Sequence, residues 1–139
     1  MKLGTNQLRN FAKRYTAAWC SQDPASVAAL FSPNGALSVN GVLSAGQDAI
    51  TEVARGFMSA FPDMVLTMDD VAVQSDHATY RWTLDGHNTG AGGTGKRVRI
   101  SGSELWEIGD DGLIAQSQGQ FNEAEYQHQL KYGFDGPKQ

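Results

Sequence analysis

The stretch KRVRISGSELWEI, from Lys96 to Ile108, alternates apolar and polar side chains as a β-strand with one buried face does. One face consists of Val98, Ile100, Gly102, Glu104, Trp106 and Ile108, and the other of Arg97, Arg99, Ser101, Ser103, Leu105 and Glu107. The first face is predicted to meet a core, although Glu104 lies in its middle. A buried carboxyl is costly unless it is paired, hydrogen-bonded or protonated, so Glu104 is a candidate functional group. The alternatives are a glutamate at the rim of the sheet and one in a structural hydrogen bond.

The length and net charge of the chain restrict its number of domains and its possible partners. The chain has 139 residues and a formal net charge of −4, which predicts one domain over residues 1–139 with an ordered core at about residues 5–132. The acidic balance, with scattered Lys and Arg, argues against nucleic acid or a membrane as partners. Cys20 is the single cysteine, the N-terminus lacks the apolar run of a signal peptide, and no stretch has the length of a membrane span. We therefore expect a cytoplasmic protein without a disulfide.

The first half of the chain carries helical patterns. An amphipathic first helix is predicted from apolar residues at helical spacing, which are Leu8, Phe11, Ala12, Tyr15, Ala18 and Trp19. A further helix is predicted from Gln47 to Phe61, where Pro62 ends it. Its buried side should consist of Ile50, Val53, Ala54, Phe57 and Met58.

The segment between these helices is more irregular. Asp23-Pro24 predicts the start of a short helix that places Val27, Leu30 and Phe31 on one side. Pro33-Asn34-Gly35 has the composition of a turn. A short strand from Ala36 to Asn40 should follow, with Leu37 and Val39 facing inward.

The second half has the period of a strand. Strands are predicted from Met64 to Ser75, with a bulge near Asp69-Asp70, from His77 to Gly86, from Lys96 to Ile108 and from Leu113 to Phe121. A capping box at Asn122 and Glu125 predicts a terminal helix. Each strand has one apolar face, so we expect an α+β fold in which a curved, mostly antiparallel sheet wraps around the N-terminal helices.

The last strand suggests a pocket. Ser117 and Gly119 lie on its apolar face and fill little space, so a cavity is predicted near Glu104. Tyr15 lies on the buried side of the first helix, where its hydroxyl needs a partner, and it forms a candidate donor pair with Glu104. Trp19, Trp82 and Trp106 are candidate pocket walls, with ordinary core packing as the alternative.

The other sequence motifs lack the neighbouring secondary structure or the residue spacing that their chemistry requires. The loop from Gly90 to Lys96 matches GxGxxG, but a strand follows it instead of a helix, so a flexible hairpin loop is predicted and nucleotide binding is rejected. His77, His87 and His128 are far apart in sequence, so no metal site is expected. No serine lies in a nucleophile elbow. We expect no cofactor.

Several short motifs resemble the SnoaL-like branch of the nuclear transport factor 2-like superfamily, which includes ketosteroid isomerases and polyketide cyclases. The resemblance covers nearly the whole chain and rests on RYTAAW at 14–19, Asp23, ALFSP at 29–33, GQDAI at 46–50, AFPD at 60–63, NTG at 88–90, TGK at 94–96 and DGLI at 111–114. It implies a cone-shaped α+β fold, a deep apolar pocket and a homodimer through the outer face of the sheet.

The site residues of the family are only partly present. By resemblance, Tyr15 matches the oxyanion-hole tyrosine of the isomerases and Glu104 their protonated aspartate, but Val39 or Asn40 replaces their base. In the cyclases, an aspartate and two histidines stand where this chain has Gly119, Ser117 and Asn88. The Asp-Arg-Asp relay of limonene epoxide hydrolases retains its arginine as Arg81, whereas Thr83 and Gly119 replace the carboxylates.

The leading hypothesis is an enzyme that acts on a small apolar carbonyl or cyclic compound by acid/base chemistry, of the isomerase, cyclase or dehydratase type. Glu104 would be the acid/base and Tyr15 a hydrogen-bond donor. The predicted substrate-binding residues are Trp19, Val39, Asn40, Phe57, Trp82, Asn88, Trp106, Ser117, Gly119 and Phe121. The alternatives are a non-catalytic domain that binds an apolar small molecule, an epoxide hydrolase, and a protein–protein adaptor.

Overall fold

The computed structural model describes residues 4–74 and 77–135. Within these ranges the elements are α1 (Thr5–Cys20), α2 (Pro24–Ala28), β1 (Phe31–Val39), β2 (Val42–Ala45), α3 (Gln47–Ala60), β3 (Val65–Gln74), β4 (His77–His87), β5 (Arg97–Ile108), β6 (Ile114–Phe121) and α4 (Glu123–Tyr132). The predicted end of β3 at Ser75 lies outside the described residues.

The strands form one curved sheet in the order β2-β1-β6-β5-β4-β3. β1 runs parallel to β6, and the other neighbouring pairs are antiparallel. The predicted α+β class, with N-terminal helices against a mostly antiparallel sheet, is therefore confirmed. β5 lies between β4 and β6, so both of its edges are hydrogen-bonded along the stretch that contains Glu104.

The alternation in the three central strands is also confirmed. Val98 and Trp106 of β5 are fully buried, whereas Arg99 and Leu105 on the other face are exposed. The predicted bulge in β3 is present, since Met68 pairs with Trp82 and Asp70 with Arg81, the residue before it. One extra residue, Asp69, is thereby accommodated in β3.

The helices cover the apolar face of the sheet. The predicted inward side of α1 is buried over its whole length, from Leu8 to Trp19. α3 buries Ile50, Ala54 and Met58. At the start of α4 the Asn122 side chain accepts a hydrogen bond from the backbone N–H of Glu125, as the capping motif predicts. None of the helices in the described ranges has the length and apolar character needed to cross a membrane.

The segment between α1 and α3 differs from the prediction. α2 ends at Ala28, and Phe31, expected on the side of that helix, begins β1 and pairs with Ile114 of β6. Pro33-Asn34-Gly35, expected as a turn, lies inside β1 where the register against β6 shifts. β2 was not predicted. Its pairing with β1 depends on a turn in which Asn40 and Gly41 both have positive φ.

Candidate active site around Glu104

Glu104 lies on the inner face of β5, opposite Tyr80 of β4 and Gly119 of β6. The residue is 8% exposed. A side-chain Cβ at position 119 would lie 3.5 Å from Glu104 Cγ and 3.2 Å from the backbone oxygen of Ser38. Glycine at this position therefore leaves the space beside the carboxyl open.

Three neutral donors converge on one oxygen of this carboxyl. Glu104 Oε1 accepts hydrogen bonds from Tyr15 Oη at 2.7 Å, Ser117 Oγ at 2.7 Å and Trp106 Nε1 at 3.1 Å. All three donor residues are fully buried. Oε2 has no hydrogen-bond partner in the described part of the chain, and it is not among the buried polar atoms sealed from solvent. The carboxyl is thus anchored through Oε1, and Oε2 is its unengaged atom.

The donors are held in place by packed aromatic rings. Trp106 stacks on Tyr80 at a centroid distance of 4.8 Å, and Tyr15 meets the Trp106 ring edge-on at 5.0 Å. The Tyr80 hydroxyl hydrogen-bonds to Thr16 Oγ1, which ties this ring to α1. These contacts fix the orientation of the Tyr15 and Trp106 donors relative to Glu104.

Burial controls the protonation of the site. Desolvation raises the pKa of Glu104 above its usual value, and the hydrogen bonds from Tyr15, Ser117 and Trp106 oppose this only in part. The pKa of Tyr15 is also well above its usual value, because of burial and then of the charge that Glu104 carries when ionised. Tyr15 therefore remains a donor. When Glu104 is protonated its proton resides on Oε2, since Oε1 already accepts three hydrogen bonds.

An apolar pocket lies beside this carboxyl, between the inner face of the sheet and the helices α1 and α3. It encloses about 500 Å³ of empty space, including the open solvent at its mouth. It is lined by Trp19, Leu37, Val39, Phe57, Leu66, Trp82, Leu84, Glu104, Gly119, Gln120 and Phe121. Glu104 is the single titratable side chain in this lining.

The lining includes much of the predicted site. The predicted residues found there are Trp19, Val39, Phe57, Trp82, Glu104, Gly119 and Phe121. Tyr15, Trp106 and Ser117 are not in the lining, because their polar atoms are directed at Glu104 Oε1 instead. These three residues act on the pocket through Glu104.

The two predicted asparagines lie elsewhere. Asn88 donates to the backbone oxygen of Ala60 at 3.1 Å and accepts from the backbone N–H of Thr94 at 2.8 Å, so it holds the glycine-rich loop. Asn40 accepts from the backbone N–H of Phe121 at 3.0 Å and donates to Glu123 at 3.3 Å. Both side-chain amides are thus engaged in fixing loops.

Leu37, Leu66, Leu84 and Gln120 line the pocket without having been predicted as site residues. Alternation predicts that Leu37 faces inward, but alternation does not separate a pocket wall from ordinary core. Gln120 belongs to the outward set of β6 and gave no signal.

Neither an epoxide hydrolase-type relay nor a metal site is supported by the described residues around Glu104. Arg81, the arginine of the hydrolase-like relay, is exposed on the outer face of β4, away from the pocket. Among the described residues, no three His, Cys, Asp or Glu side chains are grouped so that they could hold a metal ion.

Comparison with known families identifies the class of protein. A family model described as a SnoaL-like domain matches residues 12–117. The chain therefore belongs to the SnoaL-like domain family, and the predicted family is confirmed. A search of curated proteins finds no match to this sequence.

Solved structures share the fold at low sequence identity. A protein from Catenulispora acidiphila with a ketosteroid isomerase-like fold, in complex with trimethylamine, aligns with a TM-score of 0.78 and 17% identity over 92% of this chain and 97% of its own. TsrD from Streptomyces laurentii aligns with a TM-score of 0.80 and 24% identity over 93% and 98%. A proposed SnoaL-like polyketide cyclase from Jannaschia sp. aligns with a TM-score of 0.79 and 13% identity over 94% and 97%.

Proposed function

We propose that the protein binds a small, largely apolar carbonyl or cyclic compound in the pocket beside Glu104 and acts on it by acid/base chemistry, of the isomerase, cyclase or dehydratase type. Glu104 is the catalytic group in this proposal. Tyr15, Ser117 and Trp106 are positioning residues, because they contact Glu104 and not the pocket.

The observation that carries the proposal is the asymmetry of the Glu104 carboxyl. Oε1 is saturated by three donors, which leaves Oε2 as the atom available to a ligand. Because burial raises the pKa of Glu104, the neutral acid persists to higher pH than for an exposed glutamate. A neutral carboxylic acid in an apolar pocket can donate its hydrogen bond to a substrate oxygen and stabilise negative charge that develops there.

Proton transfer by a single carboxyl has a defined course. Glu104 Oε2 first gives its proton to the substrate oxygen, either a carbonyl oxygen or a hydroxyl that then leaves as water. The resulting carboxylate then removes the proton from the adjacent carbon, which forms the enol or the alkene and restores the neutral acid. The three hydrogen bonds to Oε1 stabilise the carboxylate that exists between these two events. One group can thus serve as acid and then as base if the two transfers are sequential.

A second candidate function is non-catalytic binding of a small molecule, and one observation favours it. No second titratable side chain lines the pocket to serve as a separate base. The trimethylamine complex of the Catenulispora acidiphila protein suggests an amine as one ligand of such a binder, since aromatic rings with an ionised carboxylate can hold an organic cation.

The experiment that separates these functions combines product analysis with binding. The protein is incubated with a panel of enones, epoxides and polyketide-like ketones, and products are followed by mass spectrometry. Trimethylamine is added to the panel for thermal-shift measurements. Turnover that is lost in Glu104→Gln supports the enzyme, and turnover unchanged in this variant rejects it. Thermal stabilisation without any turnover supports the binder.

The pH dependence of binding distinguishes the two ligand classes. A neutral ketone that accepts a hydrogen bond from protonated Glu104 should bind more weakly as pH rises through the Glu104 pKa. Trimethylammonium requires the carboxylate, so its binding should strengthen over the same range. Titration of each probe at several pH values, with Glu104→Gln as the pH-independent control, provides the measurement.

We also propose a homodimer through the outer face of the sheet. Leu105 projects from this face with 41% of its surface exposed, and it lines a shallow depression with His77, Glu107, Gln116 and Gln118. Sedimentation velocity of the wild type should give a dimer that Leu105→Glu weakens, whereas Arg55→Gln, at an exposed position of α3 outside this face, should leave it intact. A monomeric wild type would reject this arrangement.

A further inference from the structure

The wall of the pocket beside Glu104 presents almost no polar surface. Of its eleven lining residues, eight have aliphatic or aromatic side chains and one is a glycine. The other two are Glu104 and Gln120. Gln120 belongs to the outward-facing set of β6 and is exposed there, so its backbone is the part that lines the pocket. Glu104 therefore carries the polar side chain that enters this wall.

The two tryptophans in the wall keep their polar atoms away from the pocket. Trp19 Nε1 and Trp82 Nε1 have almost no accessible surface and no hydrogen-bond partner. The Trp19 ring packs edge-on against Phe57 at a centroid distance of 6.1 Å. The Trp82 ring packs edge-on against Phe121 at 6.0 Å, and it lies so close to Gly102 that an added Cβ would come within 2.5 Å of it. Both tryptophans therefore present ring carbon atoms to the pocket, and a ligand does not reach either N–H.

The polar side chains behind the wall are already occupied. Tyr15 Oη, Ser117 Oγ and Trp106 Nε1 all donate to Glu104 Oε1, and all three residues are fully buried. None of them lines the pocket. Glu104 Oε2 has no partner among the described residues and is not sealed from solvent. It is therefore the polar side-chain atom that remains for a ligand.

The backbone of the wall is hydrogen-bonded as well. β1, β4, β5 and β6 supply most of the lining residues, and each of these strands pairs with a neighbour on both sides. Leu66 lies instead in the edge strand β3, where backbone groups are open to new partners. Cys20 Sγ accepts a hydrogen bond from the Leu66 N–H at 3.2 Å and donates to the Leu66 oxygen at 3.4 Å. The edge strand is thus also closed where it meets the pocket.

Because Glu104 Oε2 is the accessible polar side-chain atom among the described residues of this wall, we propose that the pocket takes compounds with a single oxygen function on a hydrocarbon body. Alicyclic ketones and alcohols belong to this class, whereas polyoxygenated compounds such as polyketide-like ketones are rejected. A second polar group would lose its water inside the pocket and find no partner there, which is costly. The proposal rests on the proposed function, since it takes Glu104 as the partner of the single oxygen, and it narrows the substrate class.

Three ring compounds of nearly equal size test this selection. Cyclohexanone has one oxygen, whereas tetrahydropyran-3-one and tetrahydropyran-4-one each replace one ring CH₂ by an ether oxygen, at different distances from the carbonyl. Binding is measured by NMR titration of the full chain at a pH below the raised pKa of Glu104, where the acid donates to the carbonyl. Cyclohexanone should bind roughly 5- to 150-fold more tightly than either ether, as the cost of one unsatisfied buried acceptor predicts.

Partition coefficients provide the reference for this preference, because any apolar surface favours the less polar compound. The affinity ratio should exceed the ratio of the octanol–water partition coefficients of the same compounds, since octanol can hydrogen-bond the ether oxygen and the pocket wall cannot. A ratio at or below that of octanol would overturn the proposal. A downfield shift of the Trp19 or Trp82 indole N–H resonance on addition of an ether would also overturn it, because a donor would then be within reach of the ligand.

A hydroxyl added to the wall should weaken the selection. Val39→Thr places a donor of similar size in the pocket lining, so it should lower the ratio of cyclohexanone affinity to ether affinity for at least one of the two ethers. Val65→Thr is the matched control and should leave the ratio unchanged, because Val65 is exposed on β3 and outside the lining. Equal ratios in the two variants would overturn the assignment of the selection to the pocket wall.

Failure of the proposed function would be recognised separately. If the affinity for cyclohexanone does not fall as pH rises through the Glu104 pKa, Glu104 does not donate to the carbonyl, whatever the ethers do. If it falls as expected but the ethers bind as tightly as cyclohexanone, the selection for a single oxygen is overturned and the proposed function stands. Absence of binding by all three compounds would overturn both proposals.

Discussion

Asp85 and Glu104 are carboxyl groups on neighbouring strands, yet they lie on opposite faces of the sheet and have opposite electrostatic environments. Asp85 lies on the outer face and accepts hydrogen bonds from Arg97 at 2.9 Å and Arg99 at 3.1 Å. The Arg97 guanidinium holds the pKa of Asp85 below its usual value. Glu104 has only neutral donors and is buried, so its pKa is raised.

The contrast shows that the partners of a carboxyl decide what it can do. Asp85 is neutralised by cations in contact with solvent and remains ionised, which makes it a structural group. Glu104 has no cation among its hydrogen-bond partners, so it retains a proton that it can transfer. Substitutions that remove either the transferable proton of Glu104 or the charge of Asp85 test whether this difference between the two carboxyl groups matters for function.

The largest effect is expected for Glu104→Gln compared with Asp85→Asn. Glutamine can still accept the three hydrogen bonds at its amide oxygen, but it has no proton to transfer. Turnover of any substrate from the ketone panel should fall by roughly a hundred- to ten-thousandfold, whereas Asp85→Asn should not change it. Steady-state kinetics of both variants provide the measurement, and equal effects of the two would abolish the distinction between the faces.

Tyr15→Phe should have the next largest effect. It removes one of three donors to Glu104 and should cost about 0.5–1.5 kcal/mol when Glu104 is neutral and about 1.5–3 kcal/mol when it is ionised. The Tyr15 hydrogen bond lowers the pKa of Glu104, so its removal should raise that pKa further. Urea unfolding at several pH values measures the cost, and ¹³C NMR of labelled glutamate measures the pKa. Tyr132→Phe, a matched substitution at the exposed end of α4, is the control and should leave the Glu104 pKa in place.

The pH dependence of stability gives a third test. Because the pKa of Glu104 is raised in the folded state, its contribution to stability is fully present below the ordinary value of 4.5. It is lost as pH rises from there through the raised, folded-state pKa. The stability of Glu104→Gln relative to wild type should therefore increase with pH over this window. A difference that stays constant with pH would mean that Glu104 is not desolvated.

The smallest effect is expected for the stability of Asp85→Asn. The pKa of Asp85 is lowered, so its stabilising contribution exists above the ordinary value of 3.8 and is lost as pH falls through the folded-state pKa. Added salt should reduce the difference between variant and wild type, because the ion pairs are partly exposed. Thermal melts at low and high salt measure this, and a salt-independent loss would contradict it.

The sequence predicted the central strands better than the segment before α3. The alternation in β4, β5 and β6 is local and repeats every two residues, so it placed Glu104, Ser117 and Gly119 on the inner face. In the segment from Phe31 to Ala45, the strand predicted from Ala36 with Leu37 facing inward is present in β1. The strand character of residues 31–35 and the whole of β2 were missed, because they depend on partners. Phe31 forms a strand through pairing with Ile114, which no local pattern could indicate.

The candidate site was also predicted only in part from the sequence. Alternation and side-chain size predicted an inward carboxyl beside small residues, and a buried tyrosine that needs a partner. The resemblance predicts Asn40 and Asn88 as site residues, whereas in the structure Asn40 accepts a hydrogen bond from the Phe121 backbone and Asn88 donates one to the Ala60 backbone. An asparagine amide can bind a ligand or hold a loop equally well. The residue type alone therefore did not indicate which of these two roles Asn40 and Asn88 have.

The sequence by itself determined that an acid lies on the apolar face of a strand, because period-two alternation is written into neighbouring residues. The tertiary structure alone decided that Tyr15 and Glu104, 89 positions apart, meet at 2.7 Å. It also decided that Ser117 and Trp106 donate to the same oxygen and that Trp82 keeps an unengaged N–H in the pocket wall. The contacts at Glu104 join α1, β5 and β6, so they arise only when the sheet curves around the helix and packing fixes the rings.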